Sequence, residues 1–298
     1  MPGRKLLTDA DWIPTHFGAY DPEMIRRRAV LTETINRFDN GKLIPHYQKL
    51  AQQNLANWSA TSNTLTTSQQ VLVKAGNWGV VTHALTVEFG ECFAVLNMAN
   101  PFIPGGAYVE GAPAQEENIY RRTDCHFSIG PEVYDEVQDC YHYAMTRLLL
   151  AEQGEVYLDS KTPRTCIRGP EDRERSDLGY AWLDDNQVFP FFELRAAAQD
   201  LRDGSYFSTT EAHKRIAAQL DTLIKHNIRH VILGAHGCGA FMNPSQEIAR
   251  IYHEEISRRA KSFSVVAFAI FNAGYGPDNY TPFANQFESP LWLGTGSD

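Results

Sequence analysis

The chain has no CxxC pair. Its five cysteines stand apart at positions 92, 125, 140, 166 and 238. That scatter builds neither a disulfide framework nor a zinc site, and it fits a reducing compartment. Nor is there an apolar run of the roughly 18 residues that a membrane span needs. The opening residues, Met1 to Leu7, carry basic side chains without the sustained apolar core of a secretory signal. Positive charge is not in excess either. The formal net charge of -9 disfavours a sequence-independent grip on nucleic acid. A phosphorylated ligand is compatible with that charge, because main-chain N–H groups and helix N-termini hold phosphate without it. Internal repeats, low-complexity linkers and breaks in composition are also missing.

What is present is enough for a core. The chain has 298 residues, 43% of them hydrophobic and 11% aromatic, which points to one large domain or two small ones. With no break to divide it, the expectation is a single domain over 1–298. Residues 1–70 are read as a mainly helical N-terminal extension packed on it.

Residues 1–20 read as an arm. Asp21-Pro22 gives an N-cap and a first-turn proline, and Met24, Leu31, Ile35 and Phe38 follow at helical spacing up to Asn40-Gly41. A second helix is predicted over Tyr47–Leu55, then a polar loop over Ser59–Gln70 and a short strand at Val71–Val73. The apolar run Phe93–Leu96 has the length of a buried strand. Gly130-Pro131 opens a predicted helix with Tyr134, Val137, Tyr141 and Leu148 on one face. Glu155–Leu158 reads as a strand, and Thr162–Asp185 as a long surface connection or insertion. Pro190 interrupts the apolar Val188–Phe192, or sets it at a sheet edge. A helix over Glu211–His226, a strand at Val231–Leu233, a helix capped by Asn243-Pro244 and a last strand at Phe263–Phe271 complete the pattern. Strands alternating with helices, and apolar throughout, imply a sheet covered on both faces.

Chemistry concentrates where the first buried strand ends. Asn97 and Asn100 lead into a Pro104-Gly105-Gly106-Ala107 turn, and Gln115-Glu116-Glu117 follows. Glycines let backbone approach a ligand closely, and adjacent carboxylates place an acid beside it. By themselves, acidic residues in a first helical turn only complement the helix dipole. Two carboxylates side by side also repel, which helps hold one of them protonated. The asparagines either satisfy turn backbone or hydrogen-bond sugar hydroxyls, and both readings stand.

A second glycine-rich run, Gly234-Ala235-His236-Gly237-Cys238-Gly239-Ala240-Phe241, links a strand to a helix. Its GxxGxG order is not the GxGxxG of dinucleotide-binding folds, and it lacks the Gly-Lys-Ser/Thr of nucleotide-hydrolysing loops. Within it Cys238 reads as small and buried rather than nucleophilic. His236 reads as packing beside the loop more readily than as a base. Arg121, Arg122 and Arg26-Arg27-Arg28 read as solvated faces, with a pairing of Arg121 or Arg122 to Glu116 or a phosphate as the alternative.

The stretch from Gly105-Gly106 to Gln115-Glu116-Glu117 resembles the signature of macro domains of the microbial poly(ADP-ribose) glycohydrolase type. The Gly237-Cys238-Gly239 run is similar to that family's second diphosphate loop. Ala107 stands where the signature has a third glycine, and Phe102-Ile103 is more apolar than its counterpart. The resemblance covers most of the chain and implies a three-layer α/β/α macro-domain-like fold with a central mixed sheet. It also implies cleavage of the ribose–ribose O-glycosidic bonds of poly(ADP-ribose), which passes through an oxocarbenium-like transition state. Carried over residue by residue, Glu117 is the general acid and Glu116 its ribose-positioning partner. Asn97, Asn100, Gly105, Gly106, Ala107, Gln115, Gly234, Gly237, Cys238, Gly239, Ala240 and Phe241 contact ADP-ribose, and Phe271 stacks on adenine.

No cofactor or metal is implied. The implied partner is ADP-ribose or poly(ADP-ribose) on modified proteins, with no duplex nucleic acid and no membrane. The implied location is the cytoplasm, with export as an effector left open. Removal of a single ADP-ribose from arginine or an acidic residue, and ADP-ribose binding without cleavage, are the alternatives.

Overall fold

The structure, a computed structural model, describes residues 3–7, 21–62, 68–272 and 276–287. Most of the predicted arm and residues 63–67 of the polar loop lie outside these. Asp21 caps α1 (Pro22–Arg37) by accepting from the Glu23 amide, and α2 spans Ile44–Thr61, longer at both ends than its sequence signal. Then come β1 (Gln70–Ala75), α3 (Trp78–Phe89), β2 (Ala94–Met98) and α4 (Gln115–Arg122). A small hairpin, β3 (Tyr134–Asp135) and β4 (Cys140–Tyr141), precedes α5 (Tyr143–Leu149). The chain finishes with β5 (Tyr157–Cys166), β6 (Phe189–Ala196), α6 (Thr209–Lys225), β7 (His230–Leu233), α7 (Ser245–Arg258), β8 (Val265–Ile270) and α8 (Tyr280–Phe287).

Six strands form one mixed sheet in the order β1-β8-β7-β2-β6-β5. All neighbours are parallel except β5, which runs antiparallel to β6. Side chains alternate across it, as the pleat requires. Leu96, Leu194, Leu233 and Phe268 face α6, α7 and α8, where Ile216, Leu220, Ile251, Tyr252 and Phe283 are buried. Val95, Phe191, Ile232 and Ala267 face α1, α3 and α4, with Leu31, Trp78, Leu85 and Tyr120. The expected helix–sheet–helix layering is the fold observed.

Several local expectations are corrected. Residues 76–92, unassigned from sequence, contain α3. Its buried positions include Trp78, Val81, Thr82, Leu85, Thr86 and Phe89, so no polar stripe marks out a helix. The predicted helix after Gly130-Pro131 is instead the β3–β4 hairpin followed by the short α5. The Asp135 carboxylate accepts from the amides of Val137 and Gln138 at 2.9 and 3.1 Å, and Asp139 has φ +51°. That turn leaves Val137 96% exposed, so it joins no helical face. Strand β6 is interior and paired on both sides. Phe192 N–H donates to Phe93 O at 3.0 Å. By alternation the Pro190 nitrogen faces the same side, beyond the start of β2, where no ladder bond is required.

Residues 162–185 are more than a surface connection. The first of them complete β5, and Ile167, Arg168, Leu178 and Tyr180 are buried. Three of the five arginines read as solvated faces are also buried. Arg27, Arg121 and Arg122 are at most 2% exposed. Arg27 pairs with Glu171 and Glu23, each at 2.7 Å. Arg122 lies 4.7 Å from the Trp78 ring centre and bonds to Asn77. Neither Arg121 nor Arg122 hydrogen-bonds Glu116 or Glu117.

Candidate active site

Four parallel strands, β8, β7, β2 and β6, end on one edge of the sheet, so the segments leaving them meet there. The segment after β2 carries the Pro104-Gly105-Gly106 turn and leads to α4. The segment after β7 is the Gly234–Phe241 loop. Phe271 follows β8 directly. The strands that lead into the two glycine segments are neighbours: a Cβ added at Gly234, just after β7, would lie 3.4 Å from Met98 Cε at the end of β2.

The carboxylates sit beneath the first turn. Gly106 has φ +57°, a left-handed conformation that favours glycine. A Cβ there would lie 2.5 Å from Glu117 Oε1 and 3.1 Å from Glu116 Oε2. The turn therefore approaches both acids as closely as it can. Ala107 is not among the residues with positive φ, so its methyl is accommodated without strain. Its amide donates to Glu117 Oε1 at 3.0 Å. The Asn100 amide donates to Glu116 Oε2 at 2.7 Å. Glu116 Oε1 and Glu117 Oε2 are buried with no partner.

Electrostatics follow from that packing. Burial, reinforced by the neighbouring Glu117, pushes the Glu116 carboxyl well above its usual range. Burial raises Glu117 too, against hydrogen bonds from its own amide and that of Ala107 and the charge of Arg121. In each acid one oxygen already accepts from an amide. The other, unpartnered oxygen is the one open to a proton.

The remaining candidates fall into two groups. Gln115 is committed to the scaffold: its Oε1 accepts from Met98 N–H at 3.0 Å and its Nε2 donates to Leu96 O at 2.7 Å. Asn100 Oδ1 accepts from the amides of Phe102 and Ile103, at 2.8 and 2.9 Å, which is the turn-satisfying reading. Asn97 is fully buried and donates to Glu193 Oε1 at 2.9 Å, leaving only its Oδ1 without a partner. It belongs to a network under α4 in which Arg195 and Arg164 hold Glu193. These contacts, led by Arg195, keep Glu193 ionised at about 2 in spite of its burial.

In the glycine loop, Gly239 and Ala240 are exposed at the sheet edge, and Phe241 is half-buried with Arg202 5.0 Å from its ring centre. Gly237 has φ +75° and packs so close that a Cβ would lie 2.4 Å from that of Ala198. Burial pushes the Cys238 thiol up, away from the thiolate form that a nucleophile needs. His236 is buried between Gln219 and Ala196 O and lowered to about 4. Phe271 is 47% exposed.

Three contributors carry no local sequence signal. Asn243 does not cap α7. Its amide donates to the carbonyls of Gln199, Gly237 and Phe241, at 2.7, 3.2 and 3.2 Å, and so ties the glycine loop to the segment after β6. Tyr180 accepts from Arg121 Nε at 3.0 Å and donates to Glu171 at 2.6 Å behind α4. Arg4 donates to the Gly106 carbonyl at 2.6 Å.

Residues 27–155 match the family model of the microbial-type PARG catalytic domain. The matched segment holds the Gly105-Gly106 turn and both acids. It ends before the Gly234–Phe241 loop. The fold is similar to that of poly(ADP-ribose) glycohydrolase from Thermomonospora curvata, at 19% identity and a TM-score of 0.60, over 88% of this chain and 99% of that one. The same enzyme bound to the inhibitor ADP-HPD gives a TM-score of 0.59 at 19% identity over the same shares. Poly(ADP-ribose) glycohydrolase from Deinococcus radiodurans, in complex with ADP-ribose, is similar at 18% identity and a TM-score of 0.53, over 84% and 92%. At these identities the likeness establishes the PARG fold. No curated protein matches the sequence. Among the described residues no helix is long and apolar enough to cross a membrane.

Proposed function

We propose that the chain is an ADP-ribose glycohydrolase that cleaves the ribose–ribose bonds of poly(ADP-ribose) and releases ADP-ribose. The observation that carries this is the pair of buried carboxyls with raised pKa, each with one oxygen packed against a left-handed glycine turn and the other unpartnered, at the sheet edge from which a second glycine loop also leaves. The match of residues 27–155 to the PARG family model supports the same reading.

Amides of the two glycine segments hold the diphosphate, and Phe271 stacks on the adenine. Glu116 accepts a ribose hydroxyl through its free oxygen. Glu117 delivers the proton on Oε2 to the bridging oxygen as the anomeric C–O bond breaks. The cationic sugar is captured by a water, whose proton returns to Glu117. A general acid of this kind contributes roughly two to four orders of magnitude in rate. Modified proteins carrying the polymer are the natural partners. The described elements act as one macro-type domain, and residues 1–70 extend it.

The test is a substrate panel: labelled polymer, protein mono-modified on arginine, and protein mono-modified on acidic residues, with products identified. The expected outcome is free ADP-ribose from the polymer. Release from a mono-modified protein alone reassigns the substrate, and ADP-ribose binding without any release makes the chain a binding module.

A further inference from the structure

Residues 3–7 lie against the outside of the catalytic turn. The Gly3 amide donates to Ile129 O at 2.9 Å, which sets Arg4 against the Gly105-Gly106 segment. Arg4 is 5% exposed. Its main-chain N–H donates to the Tyr108 hydroxyl at 3.2 Å. Its guanidinium grips the Asp139 carboxylate through Nε and Nη2, at 2.7 and 2.6 Å, and Nη2 also reaches Glu110 at 3.2 Å. Tyr134 braces Asp139 from β3 with a hydroxyl donated at 2.6 Å. With two carboxylates beside it, the charge of Arg4 is more than met, so it is no free cation for a phosphate.

The remaining nitrogen does something specific. Nη1 donates to the Gly106 carbonyl oxygen at 2.6 Å. That carbonyl shares a peptide unit with the Ala107 N–H, which donates to Glu117 Oε1 at 3.0 Å. In a trans peptide the C=O and N–H point to opposite sides. One peptide plane is thus held between a guanidinium on its oxygen and a carboxyl on its hydrogen. Rotating the plane breaks both bonds. Hydrogen bonds in series also polarise one another, which makes the Ala107 amide a better donor.

We propose that Arg4 is a positioning residue for the cleavage reaction. By clamping the Gly106–Ala107 peptide it commits Glu117 Oε1 to the turn and leaves Oε2 as the acid's one uncommitted oxygen. Arginine suits the place because its fork serves a bidentate carboxylate and a third acceptor at once, which lysine cannot. The inference rests on the glycohydrolase reading above.

The test compares wild type, Arg4→Met and Arg4→Lys on labelled polymer, with ADP-ribose affinity measured by calorimetry. If wild type releases no ADP-ribose, the functional reading fails and not the clamp alone. With an active wild type, Arg4→Met is expected to lose at least 30-fold in kcat while KM and the ADP-ribose Kd stay within threefold. Low-millimolar guanidinium should restore part of that loss, and should do nothing for Glu117→Gln. Arg4→Lys, which keeps one donor for Gly106, should fall between, and it carries the kcat-against-KM comparison if Arg4→Met does not fold. A kcat within threefold of wild type overturns the proposal. So does a loss shared equally by affinity, or one that guanidinium leaves untouched.

Discussion

Gln115 and Met98 are joined across the mouth of the sheet: the Gln115 side-chain oxygen accepts the Met98 amide at 3.0 Å as β2 ends. Its nitrogen closes a second bond onto Leu96 O at 2.7 Å. One side chain thus fixes the first turn of α4, with both acids, to the strand that presents the glycine turn. Gln115→Ala leaves two main-chain groups near the core unpaired, at a cost of about 1–3 kcal/mol. Urea unfolding should show that loss. A change under about 0.5 kcal/mol would mean the contact does not hold the element.

The turn itself discriminates between two small substitutions. Gly106→Ala forces a side chain into left-handed backbone, costing about 1–2 kcal/mol, and drives it against Glu117. Loss of kcat/KM on polymer by at least about tenfold is expected, at 1.4 kcal/mol per tenfold. Ala107→Gly should stay within about threefold, since Ala107 is not a positive-φ position. Equal effects would place the wrong residue against the acid.

Much of this was legible in sequence for a physical reason. Amphipathic helices such as α6, with Ile216, Leu220 and Leu223 inward, and apolar strands such as β8 announce themselves by period. The two glycine segments announce themselves by composition. Helix α3 did not, because its buried residues leave no polar stripe. Nor did the Tyr134–Tyr141 region, whose helical spacing of aromatics is overridden by the Asp135 turn. Arg27 and Arg121 were misread because their partners lie far away in sequence: Glu171 for Arg27 and Tyr180 for Arg121. Local pattern carries no information about such pairings.

Glu116 makes a pH prediction. Its carboxyl is raised in the folded chain by burial and by Glu117, against the Asn100 amide and the charge of Arg195, with Glu193 adding to the rise. The folded state therefore holds a proton that the unfolded chain releases. The stability this gives is complete below the unfolded value of 4.5 and is lost as pH rises through the folded value. Glu116→Gln, which stays neutral, should melt progressively higher than wild type as pH is raised from about 4.5 towards neutrality. Melting curves that remain parallel across that range would contradict the raised carboxyl.

Phe271 is half-exposed at the end of β8, so its ring is not required to fill the core. If it stacks on adenine, Phe271→Ala removes about 1–3 kcal/mol of binding, or about 5- to 150-fold in the ADP-ribose Kd, with little change in melting temperature. Calorimetry and a thermal melt check both. Unchanged affinity would take Phe271 out of the site.

The central claim is that Glu117 delivers a proton to a sugar–oxygen bond whose diphosphate is held by main-chain amides. The most direct measurement pairs single-turnover release of ADP-ribose from labelled polymer with calorimetric ADP-ribose binding, for wild type and Glu117→Gln. The account predicts release by wild type, a loss of about 100- to 10,000-fold in the variant, and an ADP-ribose Kd within a few-fold in both. Turnover in Glu117→Gln close to that of wild type would contradict it.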